Sequence, residues 1–172
     1  MSVEEVGPEV PSNYVAQLFD LSRRVAVVTG GGSGLGAAVS VGLAQAGARV
    51  CVVDIDDEGA ARTVASIEAQ GGEARSLHLD VIDSKAVEAA AAYVVQAFGG
   101  VHVLVNSAGA AFRCPAEDFP EDRFDHILAL NLKGTYLCCQ SFGRRMLSEG
   151  RGSIVNMASI GSFVAYPWAS AY

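Results

Sequence analysis

The run Thr29-Gly30-Gly31-Gly32-Ser33-Gly34-Leu35-Gly36 follows a short apolar segment and leads into a stretch with helical periodicity. A glycine turn in that position lets the backbone approach a diphosphate closely. The helix start behind it offers unpaired N–H groups and a partial positive charge. Gly32, Gly34 and Ala37 fit G-x-G-x-x-A, although three consecutive glycines leave several registers open. Asp54 ends the next apolar run, eighteen residues beyond Gly36. A carboxylate there accepts hydrogen bonds from ribose hydroxyls and repels a 2′-phosphate. Ser33 offers no compensating cation, and Arg49 stands at the far end of the run that Asp54 closes. The chemistry expected is therefore capture of an adenine dinucleotide, NAD rather than NADP. A ligand-free strand-to-helix turn is the plainer alternative; the strand before, helix after and acid downstream weigh against it. Asp54 could also simply cap the following helix, but Asp56 and Asp57 are better placed for that.

The elements that must hold this turn recur regularly. Short β-branched runs occur at Val25–Val28, Val50–Val53, Leu77–Leu79, Val101–Val105 and Ile154–Val155. Between them, Leu35, Val39 and Leu43 share one helical face, as do Ala60, Val64 and Ile67, and again Val87, Ala91, Val94 and Phe98. Strands that are nearly all apolar, alternating with helices, predict a doubly wound α/β domain with a parallel sheet covered on both sides. Right-handed crossovers place the strand order near 3-2-1-4-5, with the ligand outside the carboxyl ends of strands 1 and 4. A loop carrying Pro115 and Pro120 follows strand 4, then a long helix from about Asp122 to Ser148. Its second half, Gly134 to Cys139, is apolar or small nearly all round, which predicts burial on both sides. Residues 1–21 read as a polar leader, and 22–172 as the dinucleotide-binding domain.

Composition narrows the partners. With 51% apolar residues, 18% charged residues and a net charge of −7, the chain is a folded globular protein without the basic surface that nucleic acid requires. No apolar run approaches a bilayer span of about 18–20 residues, and no polybasic patch suggests a membrane surface. Cys51, Cys114, Cys138 and Cys139 lack metal-type spacing; the adjacent pair reads as buried apolar filler in a reducing compartment, the cytoplasm. His78, His102 and His126 are scattered and read as structural, with no metal site.

Thr29, Gly30, Gly34 and Gly36 spell T-G-x-x-x-G-x-G, which resembles the short-chain dehydrogenase/reductase family with its Rossmann-type sheet. Further residues agree in order. Asp80-Val81 resembles the pair that holds the adenine ring. Asn106-Ser107-Ala108-Gly109 resembles N-N-A-G, with Ser107 replacing the second Asn. Asn131, Ser159 and Tyr172 match the family's catalytic Asn, Ser and Tyr in spacing. The resemblance implies coenzyme contacts from Gly30, Ser33, Gly34, Leu35, Gly36, Asp54, Ile55, Asp80, Val81, Asn106, Ala108 and Gly109. It also implies hydride transfer between nicotinamide and an alcohol or ketone. Tyr172 would act as general base or acid, Ser159 would bond the substrate oxygen, and Asn131 would hold a water in the proton relay. A homodimer or homotetramer is the family habit. Leu18 to Ser22 resembles leaders of polyol and sugar-acid members; a 3-oxoacyl reductase is the alternative substrate class, although those usually prefer NADP. Each match has a plainer reading: Asp80 as a strand-end cap, Asn106 and Gly109 as an ordinary turn, Asn131 as a bonded amide among Leu130 and Leu132.

A free tyrosine has a pKa of about 10 and is a poor base near neutrality. The family lowers it with a Lys four residues later, which here would be position 176, beyond the last residue. The expectation is a fragment, truncated after strand 5, with an unprotected apolar edge, weak NAD binding or aggregation, and no turnover. Two rivals are a non-catalytic dinucleotide-binding module and a structural protein that binds no nucleotide. The Asn, Ser and Tyr set argues against the first.

Overall fold

The computed structural model describes residues 13–172. The greater part of the expected leader, residues 1–12, lies outside the described residues; its end forms a short helix, α1 (Tyr14–Leu18). Five parallel strands follow: β1 (Val25–Thr29), β2 (Arg49–Asp54), β3 (Ala74–His78), β4 (Val103–Asn106) and β5 (Ser153–Asn156). They lie in the order β3-β2-β1-β4-β5, as the crossover rule predicts. Between them run α2 (Gly34–Gln45), α3 (Asp57–Glu68) and α4 (Ser84–Phe98), then α5 (Glu121–Leu128) and α6 (Thr135–Ser148).

Alternation along the strands divides the core. Val25, Val27, Cys51, Val53 and Leu104 face α4 and α6, where they meet Val94, Phe98 and Phe142. Ala26, Val28, Val50, Val52 and Val105 face the other way, onto α2 and α3, where they meet Ala44, Ala60 and Ile67. Burial in this core pushes the thiols of Cys51 and Cys138 up to about 12 and leaves them unreactive. Helix α4 starts where the Asp83 carboxylate accepts from the N–H groups of Lys85 (2.8 Å) and Ala86 (3.1 Å), and stops at Gly99 with φ +83°.

Four expectations need correction. Strand β3 begins at Ala74 and ends before Leu79; it is an edge strand whose Arg75, Ser76 and His78 are exposed, so it is not apolar throughout. Helix α2 packs Val39 and Leu43 against the core as expected, but it buries Gly36, Ser40 and Ala44 more deeply, and Leu35 is 68% exposed. Small residues take that face because the helix starts hard against the β1 turn. The long helix is interrupted by a π-helical segment, Ala129–Gly134, whose i→i+5 bonding shifts the phase between α5 and α6. Finally, α6 is buried on one side only: Cys138 and Phe142 are fully buried, Cys139 is half-buried and Tyr136 is exposed. All four residues of β5 are exposed. Among the described residues, no helix is long and apolar enough to cross a membrane.

At the amino-terminal edge of the sheet, His102 is buried and its Nδ1 accepts the Val25 N–H at 3.0 Å. Its Nε2 has no hydrogen-bond partner, with Glu149 Oε2 3.7 Å away. Burial, then the charge of Arg151, lowers its pKa; Glu149 acts in the opposite sense. The folded state thus takes up a proton at lower pH than the unfolded chain, whose histidine titrates near 6.5. The resulting stability is complete above about pH 6.5 and is lost as pH falls toward the folded-state pKa. Urea midpoints measured from about pH 7 down to about pH 5 should decline in the wild type. In His102→Gln that component of the decline should vanish.

Candidate active site

Thr29 ends β1 almost fully buried, and its Oγ1 accepts from the N–H groups of Ser107 and Ala108, both at 3.2 Å. The Ser107 N–H also reaches the Thr29 carbonyl at 3.2 Å. These bonds join the carboxyl ends of β1 and β4, where crossovers depart to opposite faces of the sheet. Gly30 then turns with φ +65°, and a Cβ there would lie 2.8 Å from Ala108 Cα. A Cβ on Gly36 would collide with the Gly30 carbonyl. The turn is therefore closed to side chains at both points, and its backbone lies directly beside the start of α2. Ser33 occupies the N-cap, but its side chain makes no capping bond, so no side chain claims the first-turn N–H groups of α2.

A cavity of about 400 Å³ opens above these carboxyl ends. Its floor is Gly30, Ser33, Gly34, Leu35 and Gly36; Asp54 and Ile55 close one side, Asp80 and Val81 another, Ala108 and Gly109 a third. Eleven of the twelve expected coenzyme residues thus border one space. The twelfth, Asn106, is only 4% exposed and does not border it. Its Nδ2 donates to Asn156 Oδ1 (2.8 Å) and lies 3.3 Å from Cys139 Sγ, while its Oδ1 has no partner. Asn106 and Asn156 are register partners in β4 and β5, so this amide pair fastens the outer strand to the sheet.

Asp54 does more than face the cavity. Its Oδ2 accepts the Gly32 N–H at 2.8 Å and its Oδ1 the Asp56 N–H at 3.0 Å. Asp56, expected to cap α3 with its side chain, stands at the N-cap without doing so, and Asp57 faces His78 Nδ1 at 3.0 Å. Asp80 Oδ1 accepts the Ile82 N–H at 3.1 Å, so it serves its own turn while bordering the cavity.

A second cavity of about 450 Å³ shares Leu35, Ser107, Ala108 and Gly109 with the first, so the two form one continuous groove. Asn131, Ser159 and Tyr172 all line it. Asn131 sits in the π-helical segment, and its amide is bonded as its apolar neighbours require. Oδ1 accepts the Ala110 N–H and Nδ2 donates to the Ala110 carbonyl, each at 2.9 Å. Thr135 Oγ1 donates to the Asn131 carbonyl at 2.9 Å. Ser159 Oγ accepts the Gly161 N–H at 3.1 Å, which turns the chain after β5 into a short 3-10 segment, Ile160–Ser162. The Tyr172 ring lies over Gly161 and is half exposed to the groove. Trp168, through its carbonyl, accepts the Cys114 N–H at 2.9 Å and ties this last segment to the loop after β4.

Some lining residues escaped the sequence reading. Leu79, His126 and Leu130 border the first cavity, and Thr135 and Asn156 the second. His126, read as structural, projects from α5 one turn before Leu130 on the same face. That spacing was the available signal. Among the described residues, no Lys or Arg lines either cavity.

A family model described as short chain dehydrogenase matches residues 24–172. The D-threitol dehydrogenase of Mycolicibacterium smegmatis is 46% identical over 154 residues, which cover 90% of this chain and 59% of that protein. An NAD-dependent glycerol dehydrogenase of Listeria innocua is 38% identical over 156 residues, with the same two shares. The crystal structure of an NAD⁺-bound xylitol dehydrogenase aligns with a TM-score of 0.86 at 33% identity, over 88% of this chain and 58% of that one. Another solved neighbour, from Beutenbergia cavernae, is 38% identical with a TM-score of 0.84 over 90% of this chain and 61% of its own, and carries NADP at low occupancy. The chain spans about three fifths of the length of these relatives.

The Thr29 hydroxyl is the point where the two halves of the groove meet. Thr29→Val keeps the shape and removes the acceptor, leaving the Ala108 N–H without its partner. Urea unfolding should show a loss of about 1–3 kcal/mol, and Thr29→Ser should recover most of it.

Proposed function

The chain belongs to the short-chain dehydrogenase/reductase family, and from that premise we propose that it carries the coenzyme groove and proton-handling residues of an NAD-dependent dehydrogenase acting on a polyol or sugar alcohol. The observation that carries this reading is the single groove that runs from Asp54 at one end to Ser159 and Tyr172 at the other. The residues fit a dinucleotide. The Gly30–Gly36 turn admits a diphosphate against the free N–H groups of α2, and Asp54 keeps lone pairs for ribose hydroxyls beyond its two backbone bonds. Asp80, Val81 and Leu130 give the adenine end a mixed polar and aliphatic wall. A carboxylate beside the ribose and no cation in the wall favour NAD over NADP.

The bound coenzyme supplies hydride acceptance and donation at its nicotinamide ring. The chain manages the proton. In oxidation the Tyr172 oxygen takes the proton of the substrate hydroxyl, and in reduction it returns one to the carbonyl oxygen. Ser159 holds the same oxygen by a hydrogen bond, its backbone fixed by the turn at Gly161. Asn131 commits its side-chain amide to Ala110, and its part in the proposed proton relay is to hold a water. The polyol class is supported by relatives named for D-threitol, glycerol and xylitol. A cytoplasmic homo-oligomer completes the proposal.

Calorimetric titration should show NAD binding at least about tenfold tighter than NADP. A preparation spanning the full length of the relatives should reduce NAD with four- or five-carbon polyols, followed by NADH absorbance. Tyr172→Phe should lower kcat by about 10²–10⁴ with coenzyme affinity retained. NADH binding without turnover on any polyol or sugar would support a non-catalytic module instead, and tighter NADP binding would overturn the coenzyme assignment.

A further inference from the structure

Gly32 and Gly59 meet backbone to backbone. A Cβ on Gly32 would lie 2.8 Å from the Ala60 nitrogen and 2.9 Å from Asp54 Oδ2. A Cβ on Gly59 would lie 2.9 Å from the Gly32 carbonyl oxygen and 2.6 Å from Asp56 Oδ2. The middle of the glycine turn therefore rests against the first turn of α3, and neither residue could carry a side chain without moving the other. Asp54 secures this contact from beneath, since its Oδ2 accepts the Gly32 N–H at 2.8 Å. Its Oδ1 accepts the N–H of Asp56, the N-cap of the same helix, at 3.0 Å. One carboxylate thus holds both the turn and the helix start on which the turn rests.

Gly59 is buried within α3 and borders neither cavity. A glycine inside a helix is unfavourable relative to alanine, because the unfolded chain has more freedom to lose. What Gly59 provides in exchange is room for the Gly32 carbonyl. We infer that Asp54, Gly32 and Gly59 form a latch that couples ribose recognition to the shape of the diphosphate cradle, with Gly59 as a positioning residue remote from the coenzyme. The inference rests on the dinucleotide reading for its ligand, while the latch itself is a property of the empty protein. One consequence concerns coenzyme choice. Replacing Asp54 with a short neutral residue removes the repulsion toward a 2′-phosphate, yet it also frees the turn that supports the diphosphate of either coenzyme. Such a change weakens NAD without creating a good NADP site.

The test compares wild type, Asp54→Asn, Asp54→Ala and Gly59→Ala. Asparagine can still serve the Gly32 N–H with its one carbonyl oxygen, leaving the exposed Asp56 N–H to water; alanine can serve neither. Hydrogen exchange of the Gly32 amide, read by NMR without coenzyme, should be slow in wild type and Asp54→Asn. It should be faster by about tenfold or more in Asp54→Ala and Gly59→Ala. Calorimetry should show NAD affinity reduced about tenfold in Gly59→Ala, although no cavity residue has changed. Asp54→Ala should bind NADP more weakly than wild type binds NAD. Wild-type exchange at Gly32 in both alanine variants would overturn the latch, as would Asp54→Ala binding NADP as tightly as wild type binds NAD. Should the wild type bind neither coenzyme, the dinucleotide reading fails, and the exchange rates alone still decide whether the latch exists.

Discussion

The hydrogen bonds that Ser107 and Ala108 donate to the Thr29 hydroxyl hold the carboxyl ends of β1 and β4 at a fixed separation. The constraint arises from topology. At this point the chain leaves neighbouring strands toward opposite faces of the sheet, so no crossover helix covers the gap. Everything that borders the groove takes its position from this join. Gly30 approaches Ala108 because the join brings them together, and α2 begins where the Gly30 carbonyl leaves room for Gly36. On the outer side, the Asn106–Asn156 pair transmits the same position to β5, and so to Ser159 three residues later.

The electrostatic character of the groove follows from what is missing around it. Among the described residues its walls contain Asp54 and Asp80 but neither Lys nor Arg, and the whole chain carries a net charge of −7. An anionic ligand therefore meets backbone dipoles, not ionic partners. Dipoles fixed by a helix start and a tightly packed turn need no rearrangement on binding, whereas a flexible lysine would have to be ordered first. The arrangement works only while the turn is rigid, and close backbone contacts at Gly30, Gly32 and Gly36 together with the Asp54 carboxylate hold it so.

The sheet order was readable because β1 and β2 are buried on both faces and advertise themselves as β-branched runs. Spacing alone singled out Asn131, Ser159 and Tyr172, and the groove brings these three together. Other features left little trace. Strand β3 is an edge strand, so its burial pattern is weak and its bounds were misplaced. Helix α2 adds Gly36, Ser40 and Ala44 to the inward face that periodicity assigned to Val39 and Leu43, because close contact near the turn admits only small residues there. The π-helical segment is a phase shift in the backbone with no residue type of its own. The partner of Asn106 depended on strand register, which becomes visible only once β5 is in place. Gly59 carried no sequence signal at all, because its role depends on the Gly32 carbonyl that packs against it.

The double hydrogen bond between Asn131 and Ala110 has a bearing on how such proteins diversify. It anchors the near end of the segment that bridges β4 and α5. At the far end, Phe119 stacks edge-on against Phe112 and Phe124, with ring centroids 5.5 Å and 6.3 Å apart. Between two moored ends, added length is cheap: each doubling of a flexible loop costs only about 0.6 kcal/mol in closure entropy. Insertions and deletions can accumulate there across descendants without disturbing the join of β1 and β4, so this stretch can vary while the groove keeps its shape.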